Sequence, residues 1–294
     1  MSRATVAGPD LYSRRLWRVL IYGLLIIGAV YYLLPFYVML TNSLKPLDEI
    51  RAGDMMSLPH EWTIAPWISA WGTAQIGVQP TGLKPYFLNS ILMVVPAVAI
   101  STLLGALNGY VLTKWRFRGD NLVFGLLLFA CFVPFQMVLI PMARTLGMLG
   151  LAGTISGLVL VHIVYGLGFT SLFFRNYYQA FPSELVRAAQ IDGAGFLRIL
   201  WRILLPSSGP IIVVTVIWQF TNIWNDFLFG ASFAGFDSLP MTVALNNLVN
   251  SSTGVKEYNV HFAGAIYAAL PTLIVYIVSG RYFVRGLMAG AVKG

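Results

Sequence analysis

The sequence predicts an all-α integral membrane protein with six transmembrane helices. Of its 294 residues, 57% are hydrophobic and only 10% are charged, whereas soluble domains carry about 25% charged residues. The mean hydropathy is +0.74. Six uncharged runs each reach the roughly 18 residues that a membrane-spanning helix requires. None of these runs alternates with a period of two, so helices are favoured over a β-barrel.

The charges predict the orientation of the chain. If the N-terminus is cytoplasmic, the inner segments hold fourteen basic and four acidic residues, and the outer segments hold five basic and seven acidic residues. This asymmetry follows the positive-inside rule and predicts that both termini are cytoplasmic. It also accounts for the net charge of +8 without a nucleic-acid partner. The one cysteine, Cys131, lies in an apolar run, so neither a disulfide nor a cysteine metal cluster is predicted.

The first predicted helix, about residues 20–40, follows a basic lead-in and is interpreted as a retained signal anchor. Its apolar run is longer than that of a signal peptide, and no small-residue cleavage site follows it. Pro35 lies inside it. The polar outer segment 41–85 comes next and is rich in proline and glycine. It holds three closely spaced tryptophans: Trp62, Trp67 and Trp71. They predict either an aromatic anchor at the lipid headgroups or a ledge that contacts a soluble partner.

The next three helices are predicted at about residues 86–113, 121–142 and 152–174. The first ends in a basic stop sequence, KWRFR, and the second carries Pro134 and Pro141. The third has glycines that allow close helix approach, together with His162. A histidine in a membrane helix can relay protons. With no acidic neighbour in the sequence, an interhelical hydrogen bond is favoured for His162.

The fifth helix, about residues 205–228, carries a polar stripe. Its members recur at i, i+4, i+7 and i+11: Thr215, Gln219, Asn222 and Asp226. At 100° per residue they share one face, and polar groups at membrane depth must face protein or water. Amides and hydroxyls beside indole rings suit a polyhydroxylated solute, so these four residues and Asn225 are predicted to line a translocation path. Hydrogen bonding to a neighbouring helix explains the stripe equally well.

The sixth helix is predicted at about residues 262–283, after a second outer loop that is rich in glycine, serine and asparagine. Gly264 and Ala268 give it a face of small residues, and Pro271 lies inside it. Because the chain shows no repeat, long linker or low-complexity tract, a single domain covering residues 1–294 is predicted.

A charged loop at residues 183–206 separates the fourth and fifth helices. Ser183 and Glu184 are suited to a helix start, Gly193 permits a sharp turn, and residues 194–203 form a second amphipathic segment. This helix–turn–helix is too small to be an enzyme. The residues by themselves predict either a docking surface for a partner or an amphipathic lid on the membrane surface.

The spacing in this loop resembles the EAA loop of ABC import permeases. Ala188 and Ala189 are followed after three residues by Gly193, and after nine more by the sequence Ile-x-Leu-Pro that ends at Pro206. Three further segments are similar to carbohydrate permeases of the maltose type: FLNSI at 87–91, WNDFLF at 224–229 and the tail at 281–294. The resemblance is to the smaller, six-helix permease and covers nearly the whole chain.

The resemblance implies a type I ABC importer permease fold and a sugar-importing complex in the inner membrane of a bacterium or archaeon. Such a complex has a second permease, two cytoplasmic ATPase subunits that hold ATP and Mg²⁺, and an extracytoplasmic solute-binding protein. This chain would then have no cofactor, metal or catalytic residue of its own. The loop implied to dock on an ATPase contains Glu184, Arg187, Ala188, Ala189, Asp192, Gly193, Phe196 and Leu197. The tail 290–294 is implied to approach the ATPases as well.

One position departs from the family pattern. The acidic residue of the EAA motif is Arg187 in this chain, and Glu184 stands three positions too early to replace it. An ion pair made by the motif's glutamate is therefore not implied here. Either the ATPase supplies an acidic partner, or Arg187 contacts lipid phosphates.

The competing interpretation is a secondary transporter or channel that works alone. The sequence has no G-x-x-x-x-G-K-[ST] motif, so ATP hydrolysis would belong to other subunits. A carrier of the stand-alone kind usually shows an inverted repeat or a buried charge relay, for which His162 and Asp226 are the candidates. A membrane-embedded enzyme would need a metal-spaced or nucleophile–base cluster, and the sequence shows neither.

Overall fold

A computed structural model describes residues 11–250 and 256–291, with side chains described at 15–250 and 256–280. Over these ranges the regular structure is helical, and the strand-like pairing is limited to two isolated bridges. The helices in order are α1 Leu11–Ser43, α2 Leu47–Arg51, α3 Ala65–Gly72, α4 Lys84–Thr113, α5 Asp120–Cys131, α6 Phe135–Met148, α7 Ile155–Ala180, α8 Ser183–Ile191, α9 Phe196–Ile199, α10 Leu205–Ser207, α11 Gly209–Trp224, α12 Leu228–Phe233, α13 Met241–Asn250 and α14 Tyr258–Ala291. A π-helical turn at Leu200–Leu204 joins α9 to α10, and a short 3₁₀ turn covers Phe236–Ser238.

Four helices are long and apolar enough to cross a membrane: α1, α4, α7 and α14. Two further crossings are possible if each of two bent pairs counts as one span. The pair α5 and α6 bends by 104°, and the segment Phe196–Ser207 bends by 81° against α11. The predicted count of six therefore requires that both broken helices cross.

The predicted helix at 121–142 is not continuous. It breaks between α5 and α6 at residues 132–134, where Pro134 provides no backbone N–H and disfavours helical geometry at the residue before it. The carbonyl oxygen of Val133 accepts a hydrogen bond of 2.9 Å from the Tyr165 hydroxyl on α7. A side chain on a neighbouring helix thus satisfies a backbone group that the break leaves without a helical partner.

The predicted helix at 205–228 is also interrupted. The chain bends at Ser208, whose hydroxyl donates to the carbonyl of Leu204 at 2.5 Å, and α11 ends at Trp224. Residues 225–227 leave the helix because Asp226 caps the next one. Its Oδ2 accepts from the backbone N–H of Phe229 at 3.0 Å and of Gly230 at 3.2 Å, a typical use of aspartate at a helix start.

The chain divides into two compact units, Met1–Ala70 with Val255–Ile266 and Trp71–Gly254 with Tyr267–Gly294. The single domain over 1–294 remains a prediction. In the first unit, the ammonium of the buried Lys45 donates to the Asp54 carbonyl at 2.8 Å and to the Ser57 hydroxyl at 3.0 Å. Trp62 is exposed, whereas Trp67 donates to the Ser43 hydroxyl at 3.2 Å. These contacts fix the first part of the predicted outer segment.

The second unit is built on the contact between α4 and α7. Glycines on α4 face α7 directly: a Cβ atom on Gly105 would lie 2.6 Å from the Thr170 Cβ, and one on Gly109 would lie 2.7 Å from the Phe174 backbone. Asn108 adds a 2.9 Å hydrogen bond to the Ser171 hydroxyl. Trp71 packs on Phe87 in the same unit. The two central helices are therefore held backbone to backbone, which is how small residues act in membrane helix pairs.

Gly109→Ala is expected to destabilise the protein, because the added methyl group would meet the backbone of Phe174 and Arg175. Overpacking of this kind costs about 1–3 kcal/mol. The measurement is the thermal unfolding midpoint of the detergent-purified protein. Gly125→Ala on α5 is the matched control, since its methyl group would meet nothing within 4 Å. Equal midpoints for the two variants would contradict the backbone-to-backbone contact.

Candidate functional site

The charged loop forms a short helix, α8, that ends in a glycine turn. Gly193 has φ +76°, a conformation that side chains disfavour. Its N–H bonds the Gln190 carbonyl at 3.0 Å, and the N–H of Ala194 bonds the Ala189 carbonyl at 2.9 Å. This pair of hydrogen bonds is the Schellman motif that closes helix ends. The predicted turn at Gly193 is present, and it aims the chain into α9.

One face of α8 packs on α4 and α7 of the same unit, and the other face is exposed. Val186 is buried in a cluster that includes Tyr110 of α4 and Phe174 and Tyr178 of α7. The exposed face carries four of the predicted docking residues: Glu184, Arg187, Ala188 and Asp192. Ala189 is half-buried against the cluster. Arg187 makes no ion pair with any residue that the structure describes, so its charge is available to a partner.

Two predicted docking residues beyond the turn have different surroundings. Phe196 stacks on Tyr110 with ring centroids 4.7 Å apart and packs edge-on against Trp115 at 5.3 Å. Leu197 is 62% exposed. Phe196 therefore holds the loop against α4, while Leu197 remains on the surface beside α8.

Lys114, which follows α4 directly, fastens the start of α8. Its ammonium donates to the Phe181 carbonyl at 2.5 Å and to the Ser183 hydroxyl at 2.9 Å. Burial lowers the pKa of Lys114, and the carboxylate of Glu184 opposes that shift. The sequence predicts Lys114 only as part of a basic stop signal. Its contacts lie 67 and 69 residues away, beyond the reach of sequence spacing.

The polar stripe on α11 splits into a packed part and an open part. Thr215 and Gln219 are buried, and Gln219 donates from Nε2 to the Ser101 hydroxyl on α4 at 2.8 Å. The same amide lies against Gly166 of α7, where a Cβ atom would collide with it. Gln219 therefore makes the interhelical hydrogen bond that the helix-contact interpretation predicts, whereas the buried Thr215 hydroxyl has no hydrogen-bond partner. Asn222 and Asn225 are exposed, and Asp226 is half-buried.

A cavity of about 360 Å³ opens beside the second half of the stripe. Its walls come from α6, α7, α11, α12 and the segment between α11 and α12. The lining residues are Phe135, His162, Tyr165, Gly166, Phe169, Trp218, Gln219, Asn222, Ile223, Asp226, Leu228 and Phe229. Three of the five predicted path residues thus line the cavity, whereas Thr215 and Asn225 do not. The aromatic walls from α7 and the contribution of α6 were not predicted.

His162 has a different environment from the one expected. Its ring is 5% exposed, and its Nε2 has no hydrogen-bond partner. The interhelical hydrogen bond favoured from the sequence is therefore not made by Nε2. An acidic neighbour is present in space, because Asp226 Oδ2 lies 3.9 Å from Nε2. That distance exceeds a hydrogen bond, so the two side chains face each other across part of the cavity wall without bonding.

No metal site accompanies this cavity in the part of the chain that the structure describes. Within residues 11–250 and 256–291, no three His, Cys, Asp or Glu side chains come together. The tail at 281–294 and its predicted approach to the ATPases fall outside the described side chains.

Asn222→Leu and Gln219→Leu are expected to have different consequences. Asn222 is exposed and lines the cavity, so its loss should reduce transport while the protein still assembles. Gln219→Leu removes an interhelical hydrogen bond worth about 0.6–2 kcal/mol, so its main effect should be a lower unfolding midpoint. The uptake rate and the thermal unfolding midpoint, measured on both variants, test this difference. A loss of assembly in Asn222→Leu would instead assign Asn222 to helix packing.

Apolar helices of membrane-spanning length, with broken helices beside a cavity, indicate a multi-pass membrane protein. The sequence matches a family described as "Binding-protein-dependent transport system inner membrane component" over residues 85–287. The chain belongs to this family, and it is the permease component of an ABC importer.

Three relatives cover nearly the whole chain. A probable ABC transporter permease protein of Pyrococcus horikoshii is 39% identical over 94% of this chain and 98% of its own length. An osmoprotective compounds uptake permease protein of Synechocystis sp. is 35% identical over 90% and 89%. A diacetylchitobiose uptake system permease protein of Streptomyces coelicolor is 30% identical over 96% and 91%.

The fold is also found in a solved structure. A chain of a bacterial ABC transporter involved in the import of the acidic polysaccharide alginate superposes with a TM-score of 0.81 at 21% sequence identity. The match covers 94% of this chain and 100% of that one. It supports the predicted type I importer permease fold for the whole bundle.

Proposed function

We propose that this chain carries a sugar or short oligosaccharide across the inner membrane, driven by separate ATPase subunits. The observation that carries the proposal is the construction of the loop. One face of α8 is buried on α4 and α7 through Val186, and the opposite face exposes Glu184, Arg187, Ala188 and Asp192. An exposed helix with a rigid base is suited to receive a force from a partner and pass it to the membrane helices.

Membership of a binding-protein-dependent transport family supports a set of partners for the exposed loop. Two cytoplasmic ATPases would hold ATP and Mg²⁺, and the loop of this chain would dock on one of them. A second permease would complete the membrane part, and a solute-binding protein would deliver the substrate from outside. Both termini would then be cytoplasmic. The exposed Arg187 makes an acidic patch on the ATPase the fitting counterpart in this complex.

The sugar assignment is supported by two observations. The cavity combines amide, carboxylate and imidazole groups with aromatic rings, a combination suited to hydroxyl groups and apolar ring faces. A full-length relative is named for diacetylchitobiose uptake. Another is named for osmoprotective compounds, so polyols belong in the same substrate screen.

The test is affinity purification from native membranes followed by reconstitution into vesicles. ATPase subunits and a second permease should accompany this chain, and a labelled sugar should enter the vesicles only when ATP and the binding protein are supplied. Uptake that persists after ATP depletion, with no accompanying ATPase, would contradict the proposal and favour a transporter that works alone.

A further inference from the structure

We propose that the cavity beside α11 binds one neutral sugar ring, and that Asp226 makes it reject acidic sugars. The inference rests on the proposed function and adds a substrate class and a binding site within this subunit. The first observation is a buried imidazole nitrogen without a hydrogen-bond partner. His162 is 95% buried, has no hydrogen-bond partner at Nε2, and lines the cavity. A buried polar nitrogen without a partner is costly, and a ligand hydroxyl group in the cavity would satisfy it.

The cavity lies where two interrupted helices meet. Phe135 begins α6 directly after the break at Pro134. Asp226 lies in the break between α11 and α12, and Leu228 begins α12. Irregular backbone at membrane depth is tolerated where it lines a cavity, and transporter sites are commonly formed by such interrupted helices. The volume of about 360 Å³ falls at the small end of the range of about 300–1,000 Å³ for ligand sites, so it suits one ring rather than a long chain.

The walls suit a ring with apolar faces and hydroxyl edges. Trp218 packs on Phe169 with centroids 4.6 Å apart, and Phe229 packs on Tyr165 at 5.3 Å and on His162 at 5.6 Å. These paired aromatic side chains are fixed by their neighbours and offer flat surfaces to the C–H faces of a sugar. Asn222 and Gln219 add amides that both donate and accept hydrogen bonds.

The charge of the cavity selects among sugars. Asp226 is the one acidic residue in the lining, and no lysine or arginine accompanies it among the described residues. A uronate carboxylate held about 6 Å from Asp226 in surroundings of effective dielectric constant about 20 would bind about 100-fold more weakly than its neutral counterpart. The cavity therefore excludes anionic sugars that share the size and shape of neutral ones.

Cysteine protection in membranes that contain the whole complex tests this inference without ATP. Cys131 is the sole cysteine of the chain, so Cys131→Ala removes the thiol of this chain, and the label found on the isolated Asn222→Cys chain reports on the cavity. The probes are methyl α-glucoside and methyl α-glucuronide, which differ in one carboxylate. The glucoside should slow maleimide labelling of Asn222→Cys at least about tenfold more effectively than the glucuronide.

Asp226→Asn, added to the same background, isolates the charge. The amide retains an oxygen that can accept the N–H groups of Phe229 and Gly230, so the start of α12 can be kept. Protection by the glucuronide should rise to within a few-fold of protection by the glucoside. Asp237→Asn is the matched control, because it removes an exposed carboxylate of the same unit that does not line the cavity. This control should leave the stronger protection by the glucoside over the glucuronide unchanged.

A second variant keeps the test decisive if Asp226→Asn does not assemble. Asn222→Lys places a positive charge at the exposed side of the cavity. The glucuronide should then inhibit the uptake of labelled glucoside that this variant retains, and it should not inhibit uptake by the unmodified chain. Equal protection by both sugars in the presence of Asp226, or protection at an Asp237→Cys control position, overturns the inference. If the unmodified complex shows no ATP-dependent sugar uptake, the proposed function fails instead, whatever the labelling shows.

Discussion

Gly193→Trp is expected to abolish ATP-driven uptake while the chain still inserts into the membrane and binds the second permease. Gly193 closes α8 with φ +76° and lies in open space. A Cβ atom there would meet nothing within 4 Å, but an indole strains the turn and projects from the surface proposed to enter the ATPase. We expect uptake to fall by at least about 100-fold, because a misplaced docking helix loses several kcal/mol of buried contact.

Two smaller substitutions separate the causes of that loss. Asn tolerates the left-handed conformation better than other residues, so Gly193→Asn should retain most uptake. Gly193→Ala adds strain of about 1–2 kcal/mol without bulk and should fall between the other two. The readouts are uptake, ATPase activity and co-purification of the ATPase. Normal uptake in Gly193→Trp would remove the loop from the coupling path.

Lys114→Met is expected to uncouple ATP hydrolysis from transport. The variant removes the hydrogen bonds to the Phe181 carbonyl and the Ser183 hydroxyl that fasten α8 to the end of α4. Hydrogen bonds from charged groups contribute about 1.5–3 kcal/mol. The amides of α8 should therefore exchange hydrogen about 10- to 100-fold faster. Uptake should fall at least about tenfold, while the ATPase activity of the complex persists.

Arg118→Met is the control for Lys114→Met. It removes another positive charge from the same KWRFR segment, and Arg118 is exposed, with no ion pair among the described residues. Its uptake and its exchange rates in α8 should match those of the unmodified chain. Equal losses in the two variants would point to the charge of the segment rather than to the contacts of Lys114.

Much of the fold could be read from the sequence because the membrane imposes a length and a polarity on each crossing. The apolar runs at 86–113 and 152–174 correspond to α4 and α7, and the spacing around Gly193 anticipates its turn. The break at Pro134 was harder to foresee, because proline is tolerated within other helices of the same chain, such as Pro96 in α4. What distinguishes Pro134 is the Tyr165 hydroxyl bonded to the Val133 carbonyl, a contact made in space.

Only some residues of the candidate site were predicted, because the others are brought to it by contacts between helices that are far apart in the sequence. Periodicity shows which residues of α11 share a face, but not what that face meets. Gln219 bonds to Ser101, which is 118 residues earlier, and Asn222, one turn later, is exposed. His162 and Asp226 are 64 positions apart in the sequence, yet their polar atoms lie 3.9 Å apart. Only the packing of α7 against α11 and α12 brings them together.

The glycine contact between α4 and α7 has a mechanical consequence. With 26 residues, α7 is a rod about 39 Å long at 1.5 Å per residue. His162 and Tyr165 of the cavity wall lie in its first half, and Phe174 and Tyr178, which pack in the same cluster as the loop, lie in its last two turns. Braced by Gly105 and Gly109 of α4, it resists bending. If the loop docks on an ATPase as proposed, a tilt imposed there would reach the cavity as a displacement of its wall, and α7 would act as a lever between the docking loop and the proposed sugar site.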